Sequence, residues 1–397
     1  MPALDKDHPS PAAIAALRQR FPCEAEIDRV LTRKMRERAG GGYVTHDLPA
    51  LAAGTSALIR AHIGDHFALR EARWLTGGAS KLQMAFTLEW SRPGHGRERT
   101  AMVLRMQPAE SLVETSRRRE FEVLAAMQGV VPVPPVFWVD AEAEHLPHPA
   151  IVYGFADGVT KPREATSQAT GMGTRLAPPW RDALAPQFVS CLARIHRHRY
   201  DTTQLPSFDV PAPGTASIEL TLNHWERVWE EDVDEDIPLM RLAAGWLRRN
   251  MPACAQPVLL HGDYRMGNFL FTEHDARITA ILDWEMARIG DHHFDVAWAL
   301  NPAYGTYAED GKTLLVGGLM PEQEFIARYE AQAGLAVAPT ALHYYKIYSG
   351  WIQGVIAIGT AWRIAHNRKT HQDVLAAWIL GIGPKLLAEL RCLLEAA

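Results

Sequence analysis

The stretch His261-Gly262-Asp263-Tyr264-Arg265-Met266-Gly267-Asn268, followed by Ile281-Leu282-Asp283-Trp284, decides how this chain is read. Val258-Leu259-Leu260 has the length and apolar character of a short buried strand running into the first segment. Phe269-Leu270-Phe271 reads as the strand leaving it, and Ile278 to Leu282 as its hairpin partner across the polar residues Glu273 to Arg277. Asp263 and Asn268 then stand at the two ends of one tight loop, and Asp283 emerges at a strand end beside Asn268. Phosphoryl transfer asks a protein mainly for in-line positioning and for neutralisation of charge. Asp263 would be the catalytic residue that orients the acceptor hydroxyl. Asn268 and Asp283 would be metal ligands, hard oxygen donors that suit Mg2+ on the phosphates of ATP.

The Asp-to-Asn spacing equals that of the protein-kinase catalytic loop H-R-D-L-x-x-x-N, and Asp283 stands where D-F-G would. Further along come Glu285 and then Gly290-Asp291-His292-His293-Phe294-Asp295-Val296-Ala297. The combined pattern resembles the aminoglycoside phosphotransferase superfamily, nearest the branch related to the kinase-like domain fused to some acyl-CoA dehydrogenases. His292 departs from it, since that branch usually has Pro there. The resemblance runs from about residue 50 to the C-terminus. It implies an α+β, two-lobed protein-kinase-like fold with a small β-rich N-lobe and a larger, mostly helical C-lobe. The corresponding division is a helical extension at 1–47, an ATP-binding N-lobe at 48–155 and a C-lobe at 156–397. ATP and Mg2+ are the implied cofactors, and Asp291 and Asp295 the implied structural caps of the catalytic segment.

The N-lobe offers the nucleotide-binding candidates. Leu82 to Trp90 and Thr100 to Met106 read as a strand pair. Gly77, Gly78, Ala79 and Ser80 precede it, and a glycine-paired loop leaves its backbone N–H groups free to face phosphates. Lys81 stands where the branch pattern S-G-G-x-S-N has Asn. Arg105 sits at the position of the phosphate-binding cation, with Glu120 on the following helix as its expected partner and Glu122 as the fallback. A guanidinium there forks two donors toward phosphate or carboxylate. Tyr153 and Phe155 flank the hinge, where Gly154 replaces the usual Glu. A hinge binds adenine through its backbone, so that replacement leaves ATP binding open.

Composition bounds the remaining readings. A net charge of −5 gives no global case for nucleic acid or an anionic membrane as a partner. Cys23, Cys191, Cys254 and Cys392 are far apart, as reduced thiols of a cytoplasmic protein would be. The N-terminus lacks a secretory pattern, and no apolar run has membrane-spanning length. Residues 11 to 39 look helical up to Gly40-Gly41-Gly42. That segment could be an extra arm, a contact through which the chain forms an oligomer, or a helix packed on the N-lobe. Neither zinc spacing, nor a G-x-S-x-G elbow, nor a P-loop is present.

The acceptor is read from the C-lobe. Gln187 to Arg199, Leu222 to Leu239, Tyr344 to Arg363 and Gln372 to Leu394 read as helices. The acidic run Glu230 to Asp236 could form a cleft for a polycationic aminoglycoside, or a solvated helix face. Trp351 and Trp362 are eleven residues apart, about three turns of one helix, so both indoles would share a face close to Arg363. Such a wall suits a small-molecule acceptor such as a hydroxy acid or hydroxyacyl-CoA; the alternative is two core tryptophans. The alternatives are an aminoglycoside or other cationic alcohol kinase, and a nucleotide-binding pseudokinase scaffold.

Overall fold

The structure, a computed structural model, describes residues 5–75, 81–165 and 172–397. Three helices open the chain: α1 (Pro11–Arg20), α2 (Ala25–Glu37) and α3 (Leu48–Ile63). The small lobe follows, with β1 (Phe67–Trp74), β2 (Leu82–Arg92), β3 (Gly96–Met106), α4 (Arg117–Met127), β4 (Val136–Asp140) and β5 (Ala150–Gly154). Its strands form one antiparallel sheet in the order β1-β2-β3-β5-β4. Side chains alternate between the two faces of a strand. Met84, Phe86 and Leu88 with Met102, Leu104 and Met106 therefore share one face, buried against Leu51, Leu58 and Ile59 of α3. Val103 belongs instead to the larger core that includes Val123 and Leu124 of α4, and Arg105 shares its parity. Strand alternation alone thus turns Arg105 away from the apolar face under α3.

The large lobe contains α5 (Pro178–Arg197), α6 (Ala216–Asp232), α7 (Pro238–Arg249), β6 (Val258–Leu260), β7 (Phe269–Phe271), β8 (Ile278–Ile281), β9 (Arg288–Gly290) and α8 (His293–Ala299). Three short strands, β10 (Thr306–Tyr307), β11 (Leu314–Val316) and β12 (Met320–Pro321), lead to α9 (Glu322–Ala333), α10 (Pro339–Gly354), α11 (Ala361–Asn367), α12 (Asp373–Gly381) and α13 (Gly383–Glu395). The expected hairpin is present: β7 pairs with β8, Phe269 opposite Ile281. Strand β6 pairs with β9, Leu260 opposite Arg288. No helix among the described residues is long and apolar enough to cross a membrane.

Several expected helices divide where the chemistry of the chain interrupts them. Pro22 lies in the break between α1 and α2, and Pro238 opens α7 after an extended Val233 ends α6. A π-helical segment, Val355–Thr360, separates α10 from α11. The wider π turn changes the phase of everything beyond it.

The opening segment bridges the two lobes. Ile27 and Leu31 of α2 join the larger core. Glu24 pairs with Arg119 of α4 at 2.9 Å, and Ser116 donates to Glu26. On the other side Lys34 and Arg38 approach Asp232 of α6 at 3.1 and 2.6 Å. The segment is thus seated against α4 and α6 at once, whereas a simple arm or a helix packed on the N-lobe alone would touch one side.

Candidate active site

The loop between β6 and β7 is built around one carboxylate. Asp295, fully buried on α8, accepts the backbone N–H of His261 at 2.7 Å and of Gly262 at 2.9 Å, one with each oxygen. His196 of α5 lies 3.2 Å from the same carboxylate, and its other ring nitrogen lies 2.7 Å from the Tyr329 hydroxyl. Asp295 and His196 thereby pin the start of the loop. His261 Nε2 faces the Leu282 carbonyl at 2.9 Å, while its Nδ1 accepts the Asp263 N–H at 3.1 Å. That requires the neutral Nε2–H tautomer. Burial pushes this imidazole down toward neutrality, against the opposing pull of Asp295 and Asp263. Gly262 has φ of 87°, and a Cβ there would lie 2.3 Å from the Met286 carbonyl oxygen. The loop can lie this close to the segment after Asp283 because residue 262 has no side chain.

Asp263 emerges from the loop with its side chain 17% exposed. Trp298 Nε1 donates to its Oδ1 at 2.7 Å, and Asn268 Nδ2 donates to its Oδ2 at 2.7 Å. Arg265 Nε lies 3.1 Å from Oδ1, and the Arg265 guanidinium lies over the Tyr304 ring at 5.4 Å. The carboxylate is fixed in orientation yet reachable, which a hydroxyl-orienting group requires. The Leu282 N–H donates to the Asn268 carbonyl at 2.8 Å, which ties the end of β8 to the catalytic loop. Asp283 follows in a left-handed conformation, φ 61°, with its side chain 31% exposed. Because the Asn268 side-chain nitrogen is engaged by Asp263, its side-chain oxygen Oδ1 is the one left without a hydrogen bond among the described residues. That oxygen and the accessible Asp283 carboxylate are both hard donors, on two loops tied together, and they fit a Mg2+ ion.

Arg105 reaches this place from the other lobe. Its Nη1 lies 3.2 Å from Glu120 Oε1 and 2.6 Å from Asp283 Oδ1, and its Nη2 lies 3.0 Å from Glu285 Oε2. Glu120, which is the partner, points inward from α4, whereas Glu122 accepts the Ser207 N–H and hydroxyl. Glu285 also receives Arg117 at 3.1 Å and Lys81 at 3.4 Å. Burial would raise the Glu285 carboxyl, but Lys81, Arg105 and Arg117 together hold it down to about 2. Lys81, the departure from the branch pattern, is therefore a buried counter-charge.

The sequence reading assigned no role to Glu285, Arg117, Arg265 or Trp298. Glu285 lay inside the quoted motif, and Arg117 one helical turn before Glu120, both visible in spacing. Trp298 had no local signal, because it reaches Asp263 only after α8 folds back.

The family model described as "Phosphotransferase enzyme family" matches residues 86–339, more than half of the chain. The chain belongs to this phosphotransferase family. Among curated relatives, the mouse protein "Acyl-CoA dehydrogenase family member 10" is 27% identical over 201 residues, which cover 50% of this chain and 18% of that protein. The human "Acyl-CoA dehydrogenase family member 11" is 28% identical over 197 residues, 45% of this chain and 24% of that protein. This phosphotransferase chain thus matches less than a quarter of either relative. A solved structure from Ralstonia eutropha, assigned to the aminoglycoside phosphotransferases, superposes with a TM-score of 0.62 at 21% identity. It covers 88% of this chain and 99% of its own, so the two-lobed kinase-like fold is shared.

Other expected site residues of this phosphotransferase are placed as follows. Gly77, Gly78, Ala79 and Ser80 lie outside the described residues. Tyr153 is buried in β5, and Phe155 beyond it is exposed, its N–H donating to Ala101. A Cβ on Gly154 would lie 2.8 Å from Pro135, so a side chain there would displace Pro135.

The acceptor wall is corrected. Trp351 is a core residue whose indole donates to the Met240 carbonyl. Arg363 is buried and engaged by Asp7 at 2.7 Å, by Asp234 and by the Asp232 carbonyl. Trp362 stacks on His366. The shared face presumed an unbroken α-helix, which the π segment interrupts. The acidic run is corrected as well. Glu231 and Asp232 are fully buried and paired with Lys34, Arg38 and Arg227, so they line no cleft for a polycation. Asp291, His292 and His293 cluster, yet His293 uses both ring nitrogens, toward Asp291 and the Ala338 N–H. His292 Nε2 faces the Ala336 carbonyl. Protein bonds thus occupy both His293 nitrogens and His292 Nε2.

Proposed function

We propose that the chain transfers the γ-phosphoryl group of ATP, with Mg2+, to a hydroxyl group of a small-molecule metabolite. The observation that carries this reading is the convergence of Asp263, Asn268 and Asp283 from one lobe with Arg105 from the other. In this reading Asp263 accepts the hydroxyl proton as the acceptor oxygen attacks. Trp298 and Asn268 keep its carboxylate aimed. Asn268 and Asp283 hold the metal, which when bound supplies neutralisation of the phosphate charge. Arg105, steadied by Glu120, releases Asp283 and grips phosphate oxygens. Tyr153 and Phe155 flank the hinge segment at the adenine side.

For the acceptor, the surroundings of Asp263 favour an uncharged or anionic alcohol. Arg265, Tyr304 and Gln353, whose amide donates to the Tyr304 hydroxyl, offer a cation and aromatic and amide surface. The matched relatives carry acyl-CoA dehydrogenase names, which supports a hydroxy acid or hydroxyacyl-CoA. The test is acceptor-dependent ADP release across hydroxyacyl-CoAs, hydroxy acids, sugars, choline-like alcohols and aminoglycosides. Turnover with acidic or CoA-linked alcohols is expected. Turnover confined to aminoglycosides would reverse the acceptor class, and nucleotide binding without turnover on any alcohol would favour a scaffold.

A further inference from the structure

Arg288 opens β9 and is 6% exposed. Its guanidinium lies 3.9 Å from the centre of the Phe294 ring, and Nη2 is buried with no hydrogen-bond partner. Among the described residues no carboxylate pairs with it. A buried cation in that state is strongly unfavourable unless a negative charge stands beside it.

Two small cavities meet at this side chain. Ser217, Thr221, Arg288 and Tyr348 border one, and Thr221, His224, Trp225 and Arg288 border the other. The Ser217 hydroxyl is also buried without a partner among the described residues, and it borders the same cavity as the guanidinium. A serine hydroxyl can donate, so it can serve the same negative ligand as the guanidinium. The carboxylates that reach these cavities are committed elsewhere. Glu24 binds Arg119, Glu285 binds Arg105 and Arg117, Asp291 binds His293, and Glu114 accepts from Gln107 and the Ser111 N–H. The free volumes are about 20 and 10 Å3. Each admits roughly one water-sized body, which excludes a phosphate or an organic acid.

We propose that Arg288 and Ser217 form a buried site for one monovalent inorganic anion of chloride size. The site lies behind the catalytic loop. Arg288 pairs with Leu260, the residue before His261, so the anion braces the strand pair that delivers Asp263.

Bromide tests this directly. Crystals of the full chain soaked in saturating sodium bromide should show an anomalous difference peak within hydrogen-bond distance of Arg288. At fixed ionic strength, replacing gluconate by chloride should raise the melting temperature by about 2 °C or more. The increment should vanish in Arg288→Met and shrink in Ser217→Ala. Should Arg288→Met fail to fold, the bromide peak and Ser217→Ala still decide. Absence of the peak overturns the proposal, as does an equal melting temperature in the two salts.

Discussion

Arg105 and Asp283 face each other across the two lobes, with Nη1 2.6 Å from Oδ1. The proposed metal ligand is thus held by the proposed phosphate ligand. Loading with MgATP must divide the pair, the carboxylate going to the cation and the guanidinium to phosphate oxygens. Asp283→Ala should therefore abolish Mg2+-dependent ATP binding in calorimetry. Equal MgATP affinity in that variant would remove Asp283 from the metal site.

Asp263→Asn should lower kcat by roughly 100-fold or more while ATP affinity stays close to wild type. Asparagine keeps the size and one acceptor oxygen, but it sets an NH2 against a donor at the other oxygen position and cannot take a proton. Trp298→Phe, which removes one donor to Asp263, should cost less in kcat and leave the KM for ATP unchanged. Near wild-type kcat in Asp263→Asn would refute the assignment.

Arg105 and Glu120 should be energetically coupled. Both are buried and in contact, within a network in which Arg105 keeps Asp283 and Glu285, and Glu120 keeps Arg117, when the other is removed. A double-mutant cycle of Arg105→Met and Glu120→Gln, read by unfolding, should show coupling of about 1 kcal/mol or more. The same cycle with Glu122→Gln should be additive, because Glu122 serves Ser207. Coupling to Glu122 instead would mean that α4 sits in a different phase.

Acid should loosen the lobe junction through Glu285. Its carboxyl is held down to about 2, below its ordinary value near 4.5, by Lys81, Arg105 and Arg117 acting against burial. A depressed carboxylate contributes stability that is complete above its unfolded value and is lost as pH falls. The window is therefore pH 4.5 down to about 2. Thermal melts across that range should show a steeper loss in wild type than in Glu285→Gln. Parallel curves would place the acid-sensitive charge elsewhere.

Much of the site was legible because it is local. Asp263 and Asn268 are tied through one loop, and the β7–β8 hairpin carries Asp283 back to it within fifteen residues. Arg105 and Glu120 followed from the family resemblance, and the phase of a short helix left Glu122 as the fallback. What escaped the sequence was nonlocal. Asp232 looked like part of a solvated acidic run, but Lys34, the cation that buries it, lies 198 residues earlier. Trp351 and Trp362 satisfied helical arithmetic, yet that arithmetic assumes a constant turn and the Val355–Thr360 segment lacks one. Trp298 shows the same limit, since its indole meets Asp263 only through tertiary packing.

The bridging of α2 bears on how the molecule can flex. The chain crosses between lobes after β5, and Glu24, Lys34 and Arg38 fasten a second crossing through charges that are expensive to separate. A body secured along two seams resists both twisting and sliding. Any motion that parts the lobes at this second seam has to separate buried ion pairs, so the junction is stiff on both sides of the fold.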